Sequence, residues 1–169
     1  MNRPIQPDYH YHLKNASNPA ISPDDSTVAF IVHRFDENSN EASTDLFTTR
    51  LGDSGAPDQL TSSGSAANPV WSPDGRQIAY IDLDDAGIKQ IFVQWFDSGR
   101  SEPSKLTHRL ADVDAVTWSP NGRRIAFRSL VLGPGSDEAR KVMGGLRYHR
   151  AEPAAARKPA PRQGEGPAR

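Results

Sequence analysis

Three copies of one short turn motif predict an all-β fold, a partial β-propeller with two four-stranded blades and the start of a third. Each copy begins Ser-Pro-Asp or Ser-Pro-Asn, at Ser22, Ser72 and Ser119, and a short apolar stretch follows it. The copies lie 50 and 47 residues apart. That period matches the length of one propeller blade, so each copy marks the same place in successive blades.

The motif has the chemistry of a tight hairpin turn. Proline at its second position presets φ near about −65°, and the Ser and Asp/Asn side chains hydrogen-bond the backbone of the turn. Gly75 and Gly122 supply the positive φ that closes the second and third turns. The first turn has Asp25 at that position, a residue type that enters the left-handed region more readily than most.

The strands that follow the turns are apolar at every position rather than at every second one. Ile78 and Tyr80 alternate with Ala79 and Ile81, so both faces of that strand are apolar. A sheet with one wet face would place polar residues at alternate positions. Burial of both faces is typical of a propeller blade, which lies between two neighbours. The small residues at one position of the repeat, Ala29, Ala79 and Ala126, indicate close approach of adjacent sheets.

The interval between turns holds two further predicted strands. Segments 45–49 and 90–94 match as the third strand, and 59–61 and 105–107 match as the outer strand. Gly- and Ser-containing loops separate them. Three regions are therefore predicted: a lead-in at 1–19, the partial propeller at 20–132, and a tail at 133–169.

The tail differs from the rest of the chain in charge and composition. The whole chain has a formal net charge of −1, but eight Lys or Arg residues and two acids fall between 139 and 169. Residues 139–169 therefore carry +6 and the rest of the chain −7. Because the tail is rich in Ala, Pro, Arg and Gly and poor in large apolar residues, it is predicted to be mostly disordered. It has one aromatic residue and no helical periodicity, so nucleic acid is not expected as a partner.

Composition excludes several classes of protein. The chain contains no cysteine, which excludes disulfides, thiolate metal sites and a cysteine nucleophile. The first eight residues lack the apolar stretch of a signal peptide, and no apolar run is long enough to span a membrane. We expect a soluble, cytoplasmic chain.

The segment 13–24, together with the two later turns, resembles the start of the propeller in the prolyl oligopeptidase family, especially its acylaminoacyl-peptidase and dipeptidyl-peptidase-like bacterial members. The resemblance covers about residues 9–132, and 141–148 resembles the continuation after this blade. The same turn repeat occurs in the periplasmic protein TolB. The lead-in before the first copy and the missing signal peptide favour the peptidases.

In that family the propeller caps an α/β-hydrolase domain and limits access to its Ser-Asp-His triad, so that short peptides enter and folded proteins do not. The nucleophile elbow of such a domain, Gly-x-Ser-x-Gly, is not found in this sequence. The chain also has fewer blades than a closed member of the family, which has about seven or eight. The resemblance thus implies a truncated or frameshifted, non-catalytic fragment that gates a serine peptidase.

No catalytic, cofactor-binding or metal-binding residue is predicted in the chain itself. Its expected partners are the missing blades and the hydrolase domain of a parent peptidase, and activity of the chain alone is not expected. The alternative is a stand-alone TolB-like interaction module. In either case, open blade edges invite self-association.

Two serine or acidic motifs have simpler structural interpretations. Segment 52–57, Gly-Asp-Ser-Gly-Ala-Pro, resembles the serine motif of chymotrypsin-like proteases, but it falls at the same place in the repeat as 97–103, a loop between strands. Asp82, Asp84, Asp85 and Gly87 suggest a calcium loop. An EF-hand requires glutamate at its twelfth position, which here is Val93, so a hairpin loop is predicted.

His10 and His12 alternate, so on an extended segment they face one way and are a candidate pair of metal ligands. Asp8 is the nearest further candidate, and no other ligand is apparent, so surface histidines are favoured. Trp71 and Trp118 precede their turns at equivalent positions. Equivalent aromatics in successive blades are predicted to fill the space between blades rather than to bind a ligand.

Overall fold

The computed structural model describes residues 13–37, 39–96, 102–129 and 145–150, the last of these by its backbone alone. This part of the chain contains no helix and forms three antiparallel sheets. Accordingly, none of the described residues belongs to a helix that would reach across a membrane.

Each sheet is a meander in which consecutive strands pair. Sheet 1 contains β1 (Asn15–Ile21), β2 (Thr27–Phe35), β3 (Ala42–Arg50) and β4 (Asp58–Gln59). Sheet 2 contains β5 (Ala67–Trp71), β6 (Gln77–Leu83), β7 (Lys89–Trp95) and β8 (Ser104–Lys105). Sheet 3 contains β9 (Val113–Trp118), β10 (Arg124–Ser129) and β11 (Gly145–Arg150). The predicted third and outer strands are confirmed, although β1 begins inside the predicted lead-in.

The three Ser-Pro turns have the same backbone hydrogen bonds. In each, the serine N–H donates to the carbonyl five residues later at 2.8 Å, and the residue at the left-handed position donates to the serine carbonyl at 2.9 Å. Those left-handed residues are Asp25 with φ 55°, Gly75 with φ 70° and Gly122 with φ 67°. The predicted hairpin turns are therefore confirmed, including the unusual Asp25.

The sheets pack face to face around two apolar clusters. The cluster between sheets 1 and 2 contains Ala29, Ile31, Leu46, Ala66, Ile78 and Tyr80. The cluster between sheets 2 and 3 contains Ala79, Ile81, Ile91, Val93, Val113, Ile125 and Phe127. Strand β6 contributes to both clusters and is buried over its first six residues. Its two-sided apolar pattern, predicted from the sequence, is explained by a neighbour on each side.

The turns also stack from sheet to sheet. A Cβ placed on Gly75 would lie 3.5 Å from Cδ of Pro23, and one on Gly122 would lie 3.6 Å from Cδ of Pro73. Each proline therefore packs against the glycine of the next turn. The repeated sequence specifies both the turn and its contact with the following copy.

One strand lies within the segment 133–169, which is predicted to be mostly disordered. Gly145–Arg150 pairs with β10 in an antiparallel register from Arg124↔Arg150 to Ser129↔Gly145. Pairing satisfies backbone groups along the edge of β10, an effect that composition alone does not reveal. The remainder of 133–169 lies outside the described residues.

Candidate functional site

The first strands of the three sheets, β1, β5 and β9, lie side by side. The indole Nε1 of Trp71 donates to the Ala20 carbonyl at 3.0 Å, and that of Trp118 donates to the Val70 carbonyl at 3.2 Å. Both rings also pack against the apolar clusters between sheets. The prediction that these tryptophans fill the space between sheets is confirmed, and the indole N–H groups tie each first strand to the one before it.

An asparagine pair bridges the first two of these strands. The side-chain Nδ2 of Asn18 donates to Oδ1 of Asn68 at 2.9 Å. Both residues are left-handed, with φ of 50° and 49°, and each lies in a β-bulge just before a proline. A bulge adds one residue and re-aims its side chain. Here it directs both amides to one place on the surface.

Strand β9 breaks this repetition. Its register shift lies between Ala115 and Val113, so Asp114 is the inserted residue. Asp114 accepts a hydrogen bond from Nε of Arg128 at 2.7 Å. This ion pair raises the pKa of Arg128. Strand β9 therefore presents a carboxylate, paired with Arg128 of β10, where β1 and β5 present amides.

An open groove runs across the three strands. Its volume is about 280 Å³, and it is lined by Asn18, Pro19, Asn68, Pro69, Val70, Asp114, Ala115 and Val116. The lining offers amide donors and acceptors and one carboxylate, all of which hydrogen-bond an extended polar chain well. In the described ranges, no three His, Asp or Glu side chains gather as a metal site.

One serine–histidine pair lies near the groove. Ser17 Oγ and His33 Nε2 are 2.7 Å apart across β1 and β2. A hydrolytic serine also needs a carboxylate that orients its histidine base. Among the described residues no hydrogen bond or ion pair joins a carboxylate to His33. The pair is therefore a cross-strand hydrogen bond, which sequence spacing did not reveal because the register of β1 on β2 creates it.

The serine motif at 52–57 lies in a loop between two strands. Ser54 lies exposed in the loop between β3 and β4, where Gly55 N donates to Asp53 Oδ1 at 2.9 Å. Residues 97–101 of the corresponding loop, as well as Asp8, His10 and His12, lie outside the described residues. The loop interpretation of 52–57 is confirmed for the first sheet.

The acidic cluster after β6 is a hairpin loop, as predicted. Asp84 N donates to the Ile88 carbonyl at 3.0 Å, and Gly87 N donates to the Asp84 carbonyl at 2.8 Å. The Asp84 carboxylate accepts from the N–H of Ile88, from Nζ of Lys105 and from the N–H of Ala86, which together lower its pKa. Asp82 instead points into the protein and accepts hydrogen bonds from the hydroxyls of Ser63 and Ser65. The two carboxylates have separate partners and do not form one cation site.

The asparagine pair and the groove were not predicted from the sequence. The available signal was the dipeptide Asn-Pro, which occurs at 18–19 and 68–69, each time four residues before a turn serine. That repetition predicts equivalent positions, but only the packing of β1 beside β5 brings the two amides together.

Curated relatives of this chain include peptidases. The uncharacterized peptidase YuxL of Bacillus subtilis is 24% identical over 131 residues, which cover 77% of this chain and 20% of that protein. The Tol-Pal system protein TolB of Alcanivorax borkumensis is 34% identical over 68 residues, covering 40% of this chain and 15% of the relative. The chain thus spans about a fifth or less of the length of these relatives. No family model matches it.

Solved structures decide the architecture. The acylaminoacyl peptidase of Pyrococcus horikoshii superimposes with a TM-score of 0.62 at 20% identity, over 76% of this chain and 19% of that one. The β-propeller domain of the Trilobed protease from Pyrococcus furiosus superimposes with a TM-score of 0.54 at 16% identity, over 68% and 33%. The three sheets are β-propeller blades. These comparisons confirm the predicted resemblance to the propellers of peptidases and of TolB.

Proposed function

We propose that these blades belong to a propeller that admits short peptides to a serine peptidase domain and excludes folded proteins. The observation that carries the proposal is the groove across β1, β5 and β9, whose lining includes the hydrogen-bonding side chains of Asn18, Asn68 and Asp114. Because the first strand of each blade lies innermost, these side chains would face the central passage of a completed propeller. The peptidases among the relatives favour this use over others.

The groove contributes contact and not catalysis under this proposal. The amides of Asn18 and Asn68 and the carboxylate of Asp114 would hydrogen-bond the backbone of an entering peptide. Within the described ranges, no hydrogen bond or ion pair joins Ser17 or Ser54 to a base that a carboxylate orients. The nucleophile would come from a hydrolase domain that is continuous with the blades or bound to them.

A fluorophosphonate probe, which reacts covalently with the active serine of serine hydrolases, tests this assignment. The native protein is recovered from its cells with an antibody raised against these blades, and the recovered material is treated with the probe. We expect the label on a hydrolase that carries or binds the blades, and faster turnover of short peptides than of a long unfolded protein. Recovery without a labelled hydrolase contradicts the proposal.

The isolated 169-residue chain serves as the control for that experiment. It should not react with the probe. Label on the chain that disappears in Ser17→Ala or Ser54→Ala would show a catalytic serine in the blades themselves, contrary to the proposal. The cytoplasmic location expected from the sequence belongs to the same proposal, and cell fractionation with the same antibody tests it.

A stand-alone interaction module of the TolB type is the second candidate. Its support is the TolB relative, which has the higher identity of the two relatives over a shorter segment. The same antibody experiment separates the two functions. Recovery of the intact chain in a stoichiometric complex that contains no labelled hydrolase would favour the interaction module.

A further inference from the structure

A second cavity lies between sheets 1 and 2, at the end of the sheets where the Ser-Pro turns lie. Its volume is about 340 Å³, and it is lined by Ser22, Asp24, Ser26, Thr27, Arg50, Trp71, Gly75 and Phe96. Both walls belong to this chain, so the cavity does not depend on what adjoins either end of the three sheets. Pockets that hold small molecules begin at about 300 Å³. The size therefore suits one small molecule.

Arg50 brings an unpaired positive charge to this cavity. It lies opposite Thr27 in the register of β2 and β3, and four residues after the buried Leu46, so it is on the face of sheet 1 toward sheet 2. Among the described residues, none forms a hydrogen bond or ion pair with its guanidinium. The repeat does not require a cation there, because the same position in sheet 2 is Trp95, opposite Gln77. The planar donor fork of a guanidinium matches a carboxylate.

Asp24 brings a negative charge to the same cavity. Its carboxylate accepts hydrogen bonds from the hydroxyls of Ser22 and Ser26 and from the Ser26 N–H, which lower its pKa and keep it ionised at neutral pH. A carboxylate has about four acceptor positions, so one remains for a further donor. Within the part of the chain that the structure describes, no ion pair joins Asp24 to Arg50. The cavity thus offers two separate and opposite charges.

Two aromatic rings supply the apolar wall of the cavity. Trp71 and Phe96 meet edge to face, with ring centroids 4.8 Å apart and an angle of 83° between the planes. The hydrogen bond from the Trp71 indole to the Ala20 carbonyl fixes the first ring, and Phe96 is 39% exposed. Perpendicular rings leave an apolar corner in which a flat or branched side chain packs. A free α-amino acid carries a carboxylate, an ammonium group and a side chain on one carbon, and these match the guanidinium, the carboxylate and the ring corner.

We infer that this cavity binds a free α-amino acid with an aromatic or large aliphatic side chain. The carboxylate of the amino acid pairs with Arg50, its ammonium group pairs with Asp24, and its side chain packs in the corner between Trp71 and Phe96. The inference does not rest on the proposed peptidase role, because no residue of this cavity lines the groove across β1, β5 and β9.

Titration of the full 169-residue chain with L-phenylalanine, followed by the NMR signal of the Trp71 indole N–H, tests the inference. We expect saturable binding that Arg50→Gln weakens at least about tenfold, because it removes a hydrogen bond between charged groups. Asp24→Asn should also weaken binding, and Asn121 shows that asparagine keeps the contacts of the turn. Arg123→Gln is the matched control, since Arg123 is an exposed arginine of the third turn and does not line the cavity. It should leave the affinity unchanged.

A series of ligands tests each contact on the unmodified chain, and so does not depend on how well a variant folds. Phenylalanine amide lacks the carboxylate, N-acetylphenylalanine lacks the ammonium group and glycine lacks the ring, so each should bind more weakly than phenylalanine. Arg50→Gln should then have little effect on binding of the amide, and Asp24→Asn little effect on binding of the acetylated ligand.

The inference is overturned if millimolar phenylalanine gives no saturable binding, as expected if another segment occupies the cavity. It is also overturned if glycine binds as tightly as phenylalanine, if Arg50→Gln leaves the affinity intact in a variant that melts like the parent chain, or if Arg123→Gln weakens binding equally.

Discussion

Sheets 1 and 2 have the same pattern of hydrogen bonds at their outer strands, but different side chains support that pattern. In both, a threonine hydroxyl accepts the N–H of a residue in the third strand at 2.9 Å, from Leu46 to Thr61 and from Ile91 to Thr107. In both, the residue before that threonine donates its N–H to the same third-strand residue at 2.8 Å. This threonine latch, defined by Thr61 and Thr107, holds the short outer strand in place.

The side chain that accepts a hydrogen bond from the latch threonine differs between the sheets. In sheet 1 it is the buried Asp45, which accepts hydrogen bonds from Thr61 and Gly64 and pairs with Arg34. In sheet 2 it is the buried Gln90, which bonds Thr107 and both backbone groups of Arg109. A neutral amide supplies both donor and acceptor, whereas a carboxylate requires a cation. The same position therefore accepts either the charged Asp45 or the neutral Gln90, because the partners of the two side chains differ accordingly.

The largest expected difference between the sheets concerns their stacked aromatics. Tyr80→Ala should lower the free energy of unfolding by about 3–5 kcal/mol, because it opens a cavity between two sheets. Phe30→Ala should lower it by roughly half as much in dilute protein, since Phe30 is only half-buried. Urea unfolding of both variants measures the difference. Equal losses would show that the outer face of sheet 1 is already covered within one chain.

The threonine latch provides the next comparison. Thr107→Val should destabilise the chain by about 1–3 kcal/mol, because it leaves the Ile91 N–H without its buried acceptor and removes the hydrogen bond that the hydroxyl donates to Gln90. Thr61→Val should cost less, since Thr61 is partly exposed and water replaces its hydrogen bonds. Denaturant titration tests both. A larger loss for Thr61→Val would mean that the charged pair of sheet 1 depends on its latch.

The left-handed turn positions predict effects of opposite sign. Gly75→Ala should destabilise by about 1–2 kcal/mol, because a Cβ at φ 70° is strained and contacts Pro23. Asp25→Gly should stabilise by about 0.5–1 kcal/mol, since glycine adopts φ 55° without steric cost. Thermal melting of both variants measures the signs. Destabilisation by Asp25→Gly would indicate that the Asp25 side chain makes a contact that outweighs its strain.

The smallest expected effect is a pH dependence that two turns have and the third lacks. The hydroxyl of Ser22 and then that of Ser26 lower the pKa of Asp24, and the hydroxyl of Ser72 lowers the pKa of Asp74. A carboxyl whose pKa is lower in the folded chain stabilises the fold above its ordinary pKa of 3.8 and loses that contribution as the pH falls through the folded value. The third turn has Asn121, which makes the same contacts without titrating.

The double variant Asp24→Asn, Asp74→Asn should therefore show a flatter fall in melting temperature below pH 3.8 than the parent chain. At neutral pH the two proteins should melt within a few degrees of each other. Asn121→Asp is the reciprocal control and should steepen the acid dependence. An unchanged acid profile in the double variant would place the titrating groups elsewhere.

Much of the fold follows from local chemistry that the sequence displays directly. Proline, serine and glycine at set spacings specify the turns, because each residue type restricts φ or supplies a local hydrogen bond. The apolar pattern of 78–81 specifies a strand with a neighbour on both sides. These constraints act within a few residues, and three repetitions of them sufficed to predict the blades.

The groove and the latch could not be predicted in the same way. The bond between Asn18 and Asn68 joins residues 50 positions apart, and the Ser17–His33 pair depends on the register of a bulged strand. The pairing of Gly145–Arg150 with β10 likewise depends on a neighbouring strand edge that offers partners. Such features depend on distances between segments, which composition does not encode.

The sequence by itself determined the turns, the strand pattern and the repeat of the blades, because these arise from backbone restrictions and side-chain periodicity within each segment. Only the tertiary structure decided which faces are covered. Phe30 and Tyr80 occupy the same position in nearly the same local sequence, yet only Tyr80 is fully buried. The difference comes from the neighbouring sheet, since burial depends on what packs against a side chain and not on the residue alone.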